Sequence, residues 1–123
     1  MSNKKQTGNK GEDIACDYLN KLGFNIMSRN WRYLKAEIDI ICKDPETNEL
    51  VFVEVKTRSS DEFGQPSEFV TIKQQKLIIS AAHQFIVSNE REEEARFDII
   101  SIVLLPNGKP ELEHIKDAFY ATL

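Results

Sequence analysis

No apolar run in the chain approaches the roughly 18 residues needed to span a bilayer, and the opening MSNKKQTGNKGED has no apolar stretch that could act as a signal peptide. A membrane partner is therefore not expected, and a cytoplasmic location is. Cysteine is scarce. Cys16 and Cys42 form neither a C-x-x-C pair nor a disulfide framework, so both read as small buried thiols. Histidine is equally sparse: His83 and His114 lie far apart, outside any metal-spacing motif, and are assigned to packing or surface roles. Excess positive charge is missing too, with 16 basic against 20 acidic residues and a net charge of −4. That balance argues against non-specific coating of nucleic acid but leaves room for a local basic face. Four of the acids crowd into EREEE (Glu90 to Glu94), a solvated loop. There is no Gly-rich phosphate loop, no thiol/imidazole zinc set and no serine or cysteine nucleophile with a paired base.

What remains is a chain of 123 residues, 41% hydrophobic, enough for one domain with one sizeable core (residues 1–123, with 1–9 a flexible start). GEDIACDYLNKLG sets Ile14, Ala15, Tyr18, Leu19 and Leu22 at helical spacing, and Gly23 stops the helix. FNIMSRN (Phe24 to Asn30) is a short first strand. AEIDIICK (Ala36 to Lys43) and LVFVEVKT (Leu50 to Thr57) flank the turn DPETNE and should form an antiparallel hairpin. Thr71 to Gln74 reads T-x-x-Q, a capping box, ahead of a helix whose Ile78, Ala81, Ala82, Phe85 and Ile86 share one face. RFDIISIVLL is a fourth strand, and the turn PNGKP leads to a short fifth at ELEHI. The order is α-β-β-β-α-β with a small β addition: an α/β fold with one mixed sheet flanked by helices.

Side chains alternate across a strand. Phe52, Glu54 and Lys56 then face one way and Val51, Val53 and Val55 the other, while Glu37, Asp39 and Ile41 oppose Ile38, Ile40 and Cys42. If the charged faces coincide, Glu37, Asp39, Glu54 and Lys56 converge. Crowding three unpaired carboxylates would cost several kcal/mol or force proton uptake, so a bound cation resolves the conflict. Hard oxygen donors favour Mg²⁺ or Mn²⁺, and a lysine beside the metal can orient water or neutralise charge on a phosphoryl oxygen. Each half of the pattern has a plainer explanation. E-x-K in a strand is commonly a same-face ion pair, and E-x-D the wet face of an amphipathic strand. Their occurrence on consecutive strands joined by a short turn favours the site.

The stretches GEDIACDYLNKLGF, AEIDIICKD, LVFVEVKTR, FGQPSEFVTIKQQKLIISAA and RFDIISI together resemble uncharacterised protein family 0102, the YraN-like proteins, from about Gly11 through Ile102. That family is allied to archaeal Holliday junction resolvases in the PD-(D/E)XK nuclease superfamily. The resemblance implies a restriction-endonuclease-like αβββαβ core. It also implies Asp39 as motif aspartate, Glu54 as second acid and Lys56 as motif lysine, with the Val55 carbonyl completing the metal shell. Glu12 matches a helix glutamate of the resolvase-like branch; on its own it reads as an acid in a first helical turn, favoured by the dipole. Glu37 matches a G-E-I-D motif, as a holder of water or a second cation or as an acid supporting the site. Ala36 stands where the family typically has glycine, the smallest change available.

The implied activity is metal-dependent cleavage of DNA, including branched or structured DNA. The rival reading is a catalytically silent nucleic-acid-binding or scaffold module that keeps the nuclease fold. Arg29, Arg32, Arg58, Lys73 and Lys76 are the candidate phosphate contacts, and Lys4, Lys5 and Lys10 a flexible arm adding salt-sensitive affinity. In NWRYLK, Trp31 and Tyr33 alternate with Arg32 and Lys35, able to stack on unpaired bases or to pack at a strand end. FGQP (Phe63 to Pro66) is a loop that touches substrate or simply turns. A two-fold homodimer would supply the two sites that a symmetric junction requires.

Overall fold

The computed structural model describes residues 3–59 and 70–120. The order along the chain is α1 (Asn3–Lys21), β1 (Asn25–Tyr33), β2 (Ala36–Lys43), β3 (Leu50–Ser59), α2 (Ile72–Ser88), β4 (Ala95–Leu104) and β5 (Pro110–Phe119). The strands form one mixed sheet ordered β1-β2-β3-β4-β5. Neighbours pair antiparallel except β3 and β4, whose parallel pairing requires the crossover that α2 provides. The αβββαβ core anticipated from the sequence is present, with β5 added at the edge.

The two helices cover opposite faces. Ala15, Cys16 and Leu19 of α1 pack with Ile40, Cys42, Val51, Val53, Ile100 and Ile102. Ile78, Ala81, Ala82 and Phe85 of α2 pack with Ile41, Phe52, Phe97 and Ile99. Alternation along β3 thus follows the sequence pattern, with its valines under α1 and Phe52 under α2. A chain of ring contacts runs Phe85–Phe52–Phe97–Phe119 at centroid separations of 6.0, 5.5 and 5.2 Å, each worth about 0.5–1.5 kcal/mol beyond area burial. Both thiols are buried and free, as expected.

Helix ends follow the local signals. Gly23 adopts φ +86°, and Phe24 N donates to Leu19 O at 3.0 Å while both side chains sit in the α1 core, a C-terminal stop that needs glycine at the turn. Thr71 Oγ1 accepts from Gln74 N at 3.1 Å and caps α2.

Several expectations need correction. α1 starts at Asn3, not near Gly11, so it takes in most of the start anticipated as a flexible arm; Lys4, Lys5 and Gln6 are good helix formers. Glu12 consequently lies in the third turn, and the helix dipole cannot be what favours it there. β1 continues through Trp31, Arg32 and Tyr33 to a two-residue turn at Leu34 and Lys35. β5 spans ten residues, twice the stretch expected, because β4 offers it partners from Phe97 to Leu104. Ile38 packs with the α2 core and not with Ile40 and Cys42, since it lies beyond the last β2–β3 pair. FGQP lies outside the described residues. No helix among the described residues is long and apolar enough to cross a membrane.

Candidate active site at the open end of the hairpin

The β2–β3 ladder runs from Lys43↔Leu50 to Ile40↔Val53 and stops. Beyond it β3 stays paired to β4 through Ser59 and β2 stays paired to β1 back to Ala36, so the two strands part and leave a gap in mid-sheet. The acids and the lysine occupy this gap. The amide of Val55, which has lost its ladder partner, donates to Asp39 Oδ2 at 2.7 Å. A side chain has replaced a backbone acceptor, which fixes the Asp39 carboxyl against β3.

Asp39 is buried, and burial pushes its pKa up to about 9, with the neighbouring Glu54 carboxylate adding to the rise and the Val55 amide opposing it. Glu37 contributes in the same direction. Glu12 reaches the group from α1, and its pKa is also raised, first by burial and then by Asp39, against the charge of Arg29 and a hydrogen bond with Asn30. The four carboxyls therefore share one electrostatic site, assembled from α1, β2 and β3. Lys56 Nζ lies 3.5 Å from Glu54 Oε2. A cleft of about 250 Å³ opens onto three of the carboxyls, lined by Lys35, Glu37, Asp39 and Glu54 on the sheet side and by Gln74, Leu77 and Ile78 of α2.

The other candidates divide between the rim and elsewhere. Arg29 Nη2 contacts Asp13 at 2.9 Å and Glu12 at 3.7 Å. Arg32 Nη2 pairs with Glu37 at 2.9 Å. Lys73 and Lys76 stand exposed on α2. Arg58, half-buried on β3, lines a separate hollow with Ser101, Glu111 and Glu113, because its neighbours across the sheet are Val103 and then Glu111. Trp31 meets Phe85 edge-on at 5.4 Å and stacks with Tyr33 at 6.4 Å, so these two rings pack against the α2 core.

Gln74 and Asn30 at this site went unnoticed in the sequence. The T-x-x-Q pattern drew attention to Gln74 only as a capping residue, and no signal marked Asn30, which takes φ +54° inside β1.

The donor set suits a hard divalent cation. Among the described residues no group of three or more His, Cys, Asp or Glu side chains is gathered in ligating geometry. Mg²⁺ needs fewer: one or two carboxylates suffice, with water and substrate phosphate taking the other positions. Asp39 and Glu54 meet that requirement, and Asp39, whose pKa burial and the Glu54 carboxylate raise, is a group that a cation would relieve. Glu37, turned to Arg32, is placed less well to join them.

A family model described as uncharacterised protein family UPF0102 matches residues 11–102. UPF0102 proteins of Flavobacterium psychrophilum and Christiangramia forsetii are each 42% identical to this chain, and one of Chlorobium phaeobacteroides is 44% identical, with 98% of both chains covered in all three cases. The relatives match over nearly the full length and the family model over most of it, and the chain belongs to the uncharacterised protein family UPF0102.

Proposed function

We propose that this protein is a divalent-metal-dependent phosphodiesterase that cuts nucleic acid, DNA before RNA. The observation carrying this reading is Asp39, buried with its pKa raised, beside Glu54 where β2 and β3 part, with Lys56 3.5 Å from Glu54. A structural ion pair would match its charges. This cluster sets four carboxyls against Lys56, Arg29 and Arg32, and three of the carboxyls, Glu37, Asp39 and Glu54, line a cleft.

Asp39 and Glu54 would hold Mg²⁺ or Mn²⁺, which when bound supplies Lewis-acid polarisation of the phosphoryl group. The Val55 amide keeps Asp39 oriented, and the Val55 carbonyl lies on the same stretch of β3. Lys56 orients the attacking water and offsets negative charge growing on the phosphoryl oxygens. Glu12, whose pKa is raised by burial and by Asp39, sits at the edge of the cluster, where its carboxyl can exchange protons with water. Arg32, Lys35 and Lys73 meet the flanking phosphates.

The test is cleavage of linear, flapped and four-way DNA by purified protein with Mg²⁺ or Mn²⁺, beside Asp39→Ala and Lys56→Ala. Each substitution is expected to lower the rate by on the order of a hundredfold. Cutting that survives unchanged in both variants rejects the site.

One observation favours a second reading, a silent nucleic-acid-binding module: Arg29, Arg32 and Lys56 each already face an acid of the cluster, so part of its charge is answered within the chain. Calorimetry with Mg²⁺ and Mn²⁺ separates the two. Absence of heat, with DNA present as well, favours the silent module.

A further inference from the structure

Leucine is an odd occupant of the β1–β2 turn. Tyr33 and Ala36 are paired, leaving Leu34 and Lys35 as a two-residue loop, and Leu34 takes φ +56°. Turns of this length usually give such a position to Gly, Asn or Asp, because a side chain with a Cβ is strained there. Leu34 is nonetheless a bulky apolar residue, and it is 83% exposed, the most exposed of the large hydrophobics described. Neither folding nor packing accounts for it: the strain opposes the fold and the side chain meets almost nothing. Strain retained without a structural return points to a role in binding.

Its position indicates which role. The next residue, Lys35, lines the Asp39 cleft, and Leu77 of α2, also exposed, lines the same cleft. Arg32, whose side chain is 77% exposed, precedes the turn. Trp31 and Tyr33 anchor the hairpin to α2, so its tip projects from a rigid base. One projecting leucine between two cations offers too little apolar area for a protein partner. It suits a wedge that enters a base step while the cations hold phosphates on either side.

Resting on the phosphodiesterase reading above, we propose that Leu34 is a wedge that selects forked or otherwise branched DNA for the Asp39 site. Unstacking a base step costs free energy, and that cost is least where pairing is already interrupted. A wedge therefore favours a branch point over a continuous duplex, without reading sequence.

The experiment measures binding of the full chain to fluorescent forked DNA and to a continuous duplex of equal length, with Ca²⁺ replacing Mg²⁺ so that strands stay intact. 2-Aminopurine beside the branch reports unstacking. The wild type is expected to prefer the fork by about tenfold and to brighten the 2-aminopurine. Leu34→Asn, which tolerates the left-handed backbone, should lose the preference and the brightening while its unfolding midpoint stays level or rises. Leu34→Met, which keeps the apolar reach, should retain both. Equal binding of fork and duplex by the wild type, or a preference unchanged in Leu34→Asn, overturns the wedge and leaves the phosphodiesterase reading to its cleavage assay. A wild type that binds neither DNA overturns both.

Discussion

Among the described residues two places bury carboxylates, and they handle them in opposite ways. Under α1, at the β4–β5 side of the sheet, Asp98 is fully buried yet accepts from Arg96 Nε and Nη2 at 2.9 Å each, from Asp117 N at 3.0 Å and from His114 Nε2 at 2.7 Å. Arg96 also donates to Asp44 and Glu49, at 2.8 Å each, and His114 Nδ1 meets the Tyr18 hydroxyl at 2.9 Å. Burial alone would raise the pKa of Asp98, but its hydrogen bonds with His114 and Arg96 outweigh burial and lower it. At the open end of the hairpin the balance is reversed: Asp39 gains one backbone amide, faces Glu54 and Glu37, and rises to about 9. Satisfied charge of the first kind serves architecture. Unsatisfied charge of the second kind costs stability and is kept where a site needs it.

Cutting into the satisfied network should produce the largest effect. Arg96→Met leaves Asp98 and Asp44 buried without their cation and should cost about 3–5 kcal/mol in urea unfolding. A loss near zero would mean that the network is solvated and that the contrast with Asp39 is false.

Next in size is Gly11→Ala, which tests how α1 delivers Glu12 to the unsatisfied site. A Cβ at Gly11 would stand 1.7 Å from Thr57 Oγ1 and 2.8 Å from Thr57 Cβ, so α1 must withdraw from β3. The expected cost is about 2 kcal/mol, after the ~1 kcal/mol that alanine returns in helix propensity. Thr57→Ala in the same chain should recover only part of it, because the Thr57 Cβ remains. Full recovery would place the clash in the hydroxyl and methyl alone.

The two regions should also pull the pH dependence in opposite directions. Asp98, whose folded pKa is lowered, contributes stability above its unfolded pKa and loses it on acidification below about pH 4. Asp39, whose folded pKa is raised, binds a proton in the folded chain that the unfolded chain has released. Its contribution is therefore lost as pH rises from about 4 toward about 9. In chelator at pH 8, Asp39→Asn, whose side-chain oxygen can still accept from Val55 N, should be more stable than the wild type by on the order of 1–2 kcal/mol. The difference should vanish by pH 4. Equal stabilities at both pH values would show that Asp39 is ordinarily ionised and that the proposed tension is absent.

The sequence revealed one side of this contrast better than the other. Period-two alternation in AEIDIICK and LVFVEVKT was enough to bring Asp39, Glu54 and Lys56 to the same hairpin, and the 3.6-residue spacing from Ile78 to Ile86 was enough to orient α2. Both are local patterns that repeat within one element. The end of the β2–β3 ladder at Ile40↔Val53 is not local, because it depends on β2 following β1 while β3 follows β4. The bond from Val55 N to Asp39 was hidden for the same reason. The Arg96 network joins residues 44, 49, 96, 98 and 114, whose nearest neighbours in sequence carry no shared motif, so His114 read as an ordinary packing or surface residue. Leu34 escaped notice because turns are recognised by glycine, asparagine or proline, and YLKA has none of them.

The smallest expected effect falls on Glu37, the acid that belongs to neither regime. Its partner Arg32 is 77% exposed, so their 2.9 Å contact is screened by solvent and salt and should be worth under about 1 kcal/mol. Glu37→Gln should therefore leave unfolding nearly unchanged, where Arg96→Met collapses it. Its effect on cation binding carries the information. If Asp39 and Glu54 suffice, Mn²⁺ titrated calorimetrically into Glu37→Gln should bind within a few-fold of wild type, while Asp39→Asn should lose at least tenfold, the usual scale for disturbing a metal site. A loss in Glu37→Gln equal to that in Asp39→Asn would mean that Glu37 releases Arg32 to hold the cation. The salt bridge would then be a resting arrangement that the metal dissolves, and Arg32 would be freed toward phosphate at the moment the site is loaded.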